Sequence, residues 1–274
     1  MSTDRHFAFD TPGDTLVSIS VGSPDVEIAT WDEPRTEVQI VARRGGAQEL
    51  IDGMRVELRE RADGHEVLIE QPKRLFALGR RGSRFTIRVR CPAGSSLDCG
   101  CAASDLVVAG SLRDASVKTE SGDTTVDTVT GDLKFSGASG DLEVNTVAGG
   151  ASVNTASGDV TVARIGRDLH AKLVSGDLEA KLVEGSATVS TVSGDVDVTV
   201  TGGGDASIQS VSGDVRLAFA PGLAVWLDVS SVSGDTQSEL ESVADAPERE
   251  SVVEGKVRTV SGDVLITRAA TATV

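Results

Sequence analysis

Apolar and polar residues alternate along much of the chain with the period of two that is typical of half-buried β-strands. Between residues 121 and 217, Val, Leu, Ala and one Phe occupy one face of each predicted strand, and Lys, Glu, Asp, Asn, Ser and Thr occupy the other. The spacing of an amphipathic helix does not fit. The predicted inward residues are Leu133, Phe135, Leu142, Val144, Ala151, Val153, Val160, Val162, Leu169, Ala171, Leu178, Ala180, Ala187, Val189, Val196, Val198, Val215 and Leu217.

The strands belong to a repeat that begins at the triplet Ser-Gly-Asp. The triplet recurs with an exact 18-residue period at first and with longer intervals later, and it starts at Ser121, Ser139, Ser157, Ser175, Ser193, Ser212, Ser233 and Ser261. A second glycine-bearing turn falls near the middle of most units, and glycine supplies the positive φ that tight corners require. Units of this kind cannot bury their apolar faces alone, so they stack. The repeat predicts an all-β fold, a β-solenoid similar to a parallel β-helix, with 18-residue rungs that each contain two turns.

The strict repeat covers only part of the chain. Residues 1–102 keep a β pattern but lose the 18-residue spacing, and we interpret them as an N-terminal β cap with irregular first coils, including one helical turn at residues 47–54. Solenoids need such caps because an uncovered sheet edge can pair with other chains. Residues 103–274 are predicted to form the regular solenoid, and residues 241–256 are predicted to form a surface loop.

Charge and composition narrow the range of partners that the chain could bind. The formal net charge is −16, with 26 acidic and 12 basic residues after position 102, which disfavours nucleic acid as a partner. The first residues contain no apolar core of a signal peptide, and no run of 18 apolar residues occurs. We therefore expect a cytoplasmic location, where Cys91, Cys99 and Cys101 would be free thiols.

In-register stacking would align six carboxylates in one column. Two like charges about 4.8 Å apart repel by ~0.9 kcal/mol even in bulk water, so the column needs compensation. Hydrogen bonds to turn amides are the first interpretation, and a bound divalent cation such as calcium is the alternative. The members of this predicted cation column are Asp123, Asp141, Asp159, Asp177, Asp195 and Asp214.

One segment departs from the acidic character of the chain. Residues 73–84 place five positive charges around a Leu-Phe-Ala-Leu patch. This basic segment is a candidate contact for an anionic membrane surface or an acidic partner, and the alternative is a hairpin tip whose apolar residues fold back onto the cap. The predicted contact residues are Lys73, Arg74, Leu75, Phe76, Leu78, Arg80, Arg81 and Arg84.

Catalytic chemistry finds little support in the sequence. The three histidines, His6, His65 and His170, lie far apart, and Ser and Asp recur in every rung, which indicates a structural role. Neither a P-loop nor a dinucleotide fingerprint is present. We therefore predict no catalytic residues, no cofactor and no resident metal. Outward carboxylate pairs leave a carbohydrate-active β-helix enzyme as an alternative.

The Val-Ser-Gly-Asp-Val units at residues 192–196 and 211–215 resemble the bacterial β-strand-repeat family known as "putative adhesin", a domain of unknown function. The early segment Gly22 to Ile28, with Trp31, is similar to the opening of that family. The resemblance covers most of the chain. It implies the repeat fold, and it connects some relatives to cell-envelope stress systems.

These observations predict a non-enzymatic β-solenoid scaffold or binding module. Its partner would be a protein or an envelope component, with peripheral membrane contact through the basic segment. A different class of function, a self-assembling structural protein similar to bactofilins, would use the solenoid ends for self-association.

Overall fold

The computed structural model describes residues 4–43, 48–72, 85–240 and 252–269. Within these residues the chain is all-β apart from one short helix, α1 (Gln48–Asp52). It divides into two compact units, one comprising residues 1–143 and the other residues 144–274. The strand β13 (Leu142–Val147) crosses this boundary. The basic segment at residues 73–84 lies outside the described residues.

The N-terminal unit contains two sheets, here called NA and NB. The strand order is β1-β4-β7-β3-β9-β11 in NA and β5-β6-β2-β8-β10-β12 in NB. The strands are β1 (Arg5–Asp10), β2 (Thr15–Val21), β3 (Asp25–Trp31), β4 (Arg35–Ala42), β5 (Arg55–Arg61), β6 (Gly64–Glu70), β7 (Phe85–Pro92), β8 (Ser96–Ala103), β9 (Leu106–Leu112), β10 (Ala115–Ser121), β11 (Thr124–Val129) and β12 (Leu133–Gly137).

Pairing in the N-terminal unit is parallel in the middle of each sheet and antiparallel towards one edge. In NA, β4 pairs antiparallel with both β1 and β7, and in NB, β5 pairs antiparallel with β6. The predicted helical turn at residues 47–54 is confirmed as α1. A buried hydrogen bond of 2.9 Å joins the hydroxyls of Thr11 and Thr36 and satisfies both polar groups.

The C-terminal unit also contains two sheets, CA and CB, and all of their described pairings are parallel. The order is β15-β17-β19-β21-β25-β23 in CA and β14-β16-β18-β20-β24-β22 in CB. The strands are β14 (Ala151–Thr155), β15 (Val160–Ile165), β16 (Leu169–Ser175), β17 (Leu178–Val183), β18 (Ala187–Ser193), β19 (Val196–Val200), β20 (Ala206–Ser212), β21 (Val215–Phe219), β22 (Ala224–Ser233), β23 (Thr236–Ser238), β24 (Val252–Ser261) and β25 (Val264–Arg268).

Neighbouring strands of CB align equivalent residues of the repeat. Leu169 pairs with Ala151 on one side and with Ala187 on the other, and Ser193 pairs with Ser175 and Ser212. The inward residues named from the sequence pattern are all buried, and Phe135 and Phe219 are the largest of the fully buried side chains. Val, Leu and Ala therefore fill a narrow apolar layer between the sheets of each unit, which explains how the fold manages with few aromatic residues.

The last two coils are stacked out of chain order. The later strands β24 and β25 lie between β20/β21 and β22/β23, so Ser261 pairs with Ser212 on one side and with Ser233 on the other. This arrangement corrects the prediction of a loop at residues 241–256, because Val252 to Lys256 belong to β24. The chain thus passes from the outer coil, β22 and β23, back to the inner coil, β24 and β25. This step explains the long interval between the triplets that start at Ser233 and Ser261.

Candidate binding surfaces

The Ser-Gly-Asp corners form a ladder of hydrogen bonds between successive coils. In the C-terminal unit, the backbone N–H of Asp195 donates to Oδ1 of Asp177 at 2.8 Å, and the N–H of Asp214 donates to Oδ1 of Asp195 at 2.8 Å. In the N-terminal unit, Asp141 donates to Asp123 at 3.0 Å. Each such carboxylate thus accepts the amide of the equivalent Asp in the next coil, which stabilises the anion.

The ladder also follows the unexpected order of the last coils. The N–H of Asp263 donates to Oδ1 of Asp214, and the N–H of Asp235 donates to Oδ1 of Asp263, both at 2.8 Å. The described residues contain no group of three or more His, Cys, Asp or Glu side chains that could hold a metal ion. Amide donors therefore supply part of the compensation that the aligned carboxylates need, and cation binding by the column stays a prediction.

A second aspartate corner was missed by the sequence reasoning. Oδ1 of Asp168 accepts the N–H of Ser186 at 2.8 Å, and Oδ1 of Asp205 accepts the N–H of Glu254 at 2.8 Å. The sequence signal was the aspartate that precedes Leu169 and Ala206 at the start of CB strands. Aspartate thus has the same structural task at both corners.

A groove of about 620 Å³ lies on the outer face of CA. Its outward row contains Glu179, Asp197, Arg216 and Leu265, and ladder aspartates lie along its margin. Burial raises the pKa of Asp197, Arg216 at 3.9 Å opposes this shift, and Glu179 adds to it. The groove is acidic and open, and its single arginine is already engaged with a carboxylate.

A second groove, of about 450 Å³, lies on the outer face of NA. Its charges are largely paired with one another, since Arg88 donates to Glu27 at 2.8 Å and Arg35 donates to Glu37 at 2.6 Å. The guanidinium groups of Arg35 and Arg90 lie 5.5 Å and 5.9 Å from the ring centroid of Trp31. Such internal pairing leaves little charge to recognise a ligand.

The outer face of CB carries a row of exposed valines. Each valine directly precedes a Ser-Gly-Asp triplet, and the serines that follow are paired across neighbouring strands. The aliphatic row consists of Val174, Val192, Val211, Val260 and Val232, which are 52%, 49%, 48%, 50% and 81% exposed. In the N-terminal unit, the residue that precedes Ser121 is the exposed Glu120. The row is therefore a feature of the later coils and is not required by the corner itself.

The three cysteines are buried free thiols. Burial raises the pKa of Cys91 to about 11. Cys99 and Cys101 lie on the inward face of β8, and the hydrogen bond between their thiols lowers the pKa of Cys101 to about 7 while it raises that of Cys99. The free thiols agree with the sequence prediction, and the structure adds the contact between Cys99 and Cys101.

The predicted sites fall into two groups. The cation column lies at the Ser-Gly-Asp corners, with consecutive members joined by amide hydrogen bonds within each unit. The basic segment, with all eight of its predicted contact residues, lies outside the described residues. Across the described part of the chain, no helix combines the length and apolar character needed to cross a bilayer.

Comparison with protein families identifies the repeat. The family model described as Toastrack DUF4097 matches residues 15–267. The chain belongs to this family. The match confirms the resemblance seen in the Val-Ser-Gly-Asp-Val units, and the Toastrack fold is solenoid-like with two parallel sheets. No curated protein matches the chain.

Several solved structures are similar to this Toastrack chain over nearly its whole length. A "putative adhesin" from Parabacteroides distasonis is 13% identical, with 97% of each chain covered and a TM-score of 0.46. A "putative adhesin" from Bacteroides fragilis is 12% identical, with the same coverage and a TM-score of 0.43. A "putative lipid binding protein" from Parabacteroides distasonis is 11% identical, again with 97% coverage of each, and has a TM-score of 0.34.

Proposed function

We infer that the protein is a non-enzymatic β-solenoid binding module whose partner contacts the aliphatic row on the outer face of CB. In this proposal, residues 103–274 form the Ser-Gly-Asp solenoid, and residues 1–102 form the cap. The partner is a protein or envelope component, and the module acts from the cytoplasm. Antiparallel pairing of β1, β4 and β5 in the N-terminal unit supports the capping role.

The aliphatic row is the observation that carries this proposal. Exposed apolar residues scattered singly are ordinary, but contiguous apolar surface rimmed by polar residues marks interaction sites. Here about half of each of Val174, Val192 and Val211 is exposed on three adjacent strands. Strands in a sheet are about 4.8 Å apart, so these side chains form one continuous ridge.

The use of polar side chains supports a binding role over catalysis. Aspartates at both corners accept backbone amides, and the hydroxyls of Thr155, Thr191 and Thr259 donate to serine carbonyls two residues further along the chain. These groups recur from coil to coil with backbone partners, which is typical of a structural task. The repeated residues thus build the scaffold, and recognition is left to the outward positions.

The basic segment is the second contact of this proposal. Its five cations would meet anionic headgroups or an acidic partner while the aliphatic row binds the protein partner. The names "adhesin" and "lipid binding protein" carried by similar solved structures agree with a binding role of this general kind.

Site-specific photo-cross-linking in the native host tests the aliphatic row. A photoreactive amino acid at Val192 or Val211 should give a discrete cross-linked product, because these residues would lie in the interface. The same amino acid at Lys172, an outward position of β16, is the matched control. Val192→Ser together with Val211→Ser should abolish the product from a probe at Val174. Equal products from Lys172 and Val192 would contradict the proposal.

A further inference from the structure

The outermost coil of the C-terminal unit leaves its apolar interior partly open. Among the described residues, β22 ends sheet CB and β23 ends sheet CA. The inward side chains Val225, Leu227 and Val229 are only half-buried. On the neighbouring strand β24, Val253 and Val257 are 3% and 0% exposed. The interior that is closed at β24 is therefore accessible at β22.

The composition of β22 also differs from that of a protected edge. Natural proteins protect edge strands with charged residues, prolines, bulges or a covering element. The edge strand β5 of the N-terminal unit has five charged residues among seven, Arg55, Glu57, Arg59, Glu60 and Arg61. Asp228 is the only charged residue among the ten residues of β22, and the strand contains no proline. It therefore has the composition of a strand that another strand covers.

We propose that β22 pairs antiparallel with β22 of a second copy, about a two-fold axis at Val229. A two-fold interface brings the same surface of both copies together, and two identical edge strands related in this way run antiparallel. Centring on Val229 places Trp226 directly opposite the partner's Val232. These two side chains face outward and are 56% and 81% exposed, the highest values among the large apolar side chains described.

Neighbouring registers are less suitable. Centring on Asp228 would place the two Asp228 carboxylates opposite each other, and like charges in directly opposite positions destabilise a strand pair. Centring on Ser230 would place Trp226 opposite Gly234, which lies beyond the end of β22. Centring on Val229 moves the two carboxylates from directly opposite to diagonal positions. It also joins an aromatic with a β-branched side chain on the outer face, and it brings the two Val229 side chains together on the inner face.

The assembly ends at two copies. An isologous contact uses the open edge of both copies, so no equivalent edge remains for a third. This closed dimer differs from the filament that the sequence suggested as an alternative. The formal charge of −16 on each copy opposes association at low ionic strength, and salt should therefore strengthen the dimer.

Light scattering coupled to size-exclusion chromatography tests the dimer on the full chain. The wild type should elute as a dimer, and Trp226→Lys with Val232→Lys should elute as a monomer with an unchanged circular dichroism spectrum, since both side chains are exposed in the single copy. Val192→Lys, also in the aliphatic row but three strands away from the edge, should remain a dimer. A wild type that is monomeric at all concentrations would overturn the proposal. A monomer whose β22 amides are protected from hydrogen exchange would also contradict it. That result would indicate that residues 241–251 of the same chain cover this edge strand.

Disulfide trapping tests the register. Trp226→Cys and Val232→Cys proteins, mixed in equal amounts and oxidised, should give a cross-linked heterodimer in high yield. Neither protein alone should cross-link, because each introduced cysteine lies roughly 20 Å along the strand from the same residue of the second copy, at ~3.4 Å per residue. Efficient cross-linking of one protein with itself would contradict the register. Val232 belongs to both the aliphatic row and the dimer contact, but the two proposals can be tested separately, since Val192→Lys should lose the cross-linked partner and keep the dimer.

Discussion

A β-carbon at Gly194 would lie 2.1 Å from the carbonyl oxygen of Gly176 in the preceding coil. Gly194 has φ of 125°, a conformation that side chains rarely adopt, and the equivalent glycines at 176 and 213 have φ of 114° and 119°. The corner therefore depends on glycine for two independent reasons, the backbone conformation and the close approach of the neighbouring coil.

Gly194→Ala should destabilise the protein strongly. The strained backbone alone costs about 1–3 kcal/mol, and the contact with Gly176 adds to this cost. Urea unfolding measures the loss as a lower midpoint. Gly203→Ala is the matched control, because a β-carbon there has no atom within 4 Å, and its midpoint should stay near that of the wild type. Equal midpoints for the two variants would contradict the role given to Gly194.

Asp177→Ala should lower stability by about 1 kcal/mol, because the exposed N–H of Asp195 loses its charged acceptor. Asp177→Asn retains a carbonyl oxygen at the same place and should recover most of the loss. The comparison by urea unfolding separates hydrogen bonding from charge. If Asn were as destabilising as Ala, the negative charge itself would be the important property of the column.

Removal of divalent cations should leave the melting temperature unchanged, because ladder carboxylates already accept backbone amides. The measurement is thermal unfolding in EDTA and then in excess calcium. A melting temperature that falls in EDTA, rises in calcium and no longer responds in Asp195→Asn would establish the cation column.

Alkylation of Cys101 should increase with pH around a midpoint of about 7, because the thiolate is the reactive form and the hydrogen bond from Cys99 stabilises it. Cys99→Ala removes that donor, so the midpoint should move upward. Mass spectrometry of the native protein after iodoacetamide treatment locates the label. Cys91, with its pKa raised to about 11, is the internal control and should stay unlabelled near neutral pH.

The basic segment should retain the protein on acidic vesicles. Sedimentation with vesicles that contain phosphatidylserine should recover more protein than sedimentation with neutral vesicles, and salt should reduce the difference. Replacing Lys73, Arg74, Arg80 and Arg81 with serine should abolish the difference. Serine at Lys172 and Lys181 removes basic charge from the repeat strands as a control. Equal recovery from both vesicle types would exclude membrane contact through this segment.

Much of the fold could be predicted because the strands and corners of each repeat unit are specified by residues that are close together in the sequence. Alternation identified inward residues such as Leu142 and Val198, both of which are buried, and glycines identified the corners. The order of the last coils could not be predicted, because Ser233 and Ser261 begin equivalent corners and either could pair with Ser212.

The candidate surfaces were harder to predict for a similar reason. Val192 and Val211 precede the corner in the sequence, but an apolar residue at a turn is as easily buried as exposed. Only the pairing of Ser193 with Ser212 shows that the valines are adjacent and outward. The basic segment was evident from charge alone, yet charge does not locate a segment on the fold.

The late insertion of β24 and β25 between earlier strands has a consequence for biosynthesis. When β22 and β23 leave the ribosome, the strands on which they will lie have not yet been made. Their native neighbours arrive only with residues 252–268. The C-terminal unit therefore cannot reach its native strand order coil by coil during translation, because the native neighbours of β22 and β23 are the last strands to be made.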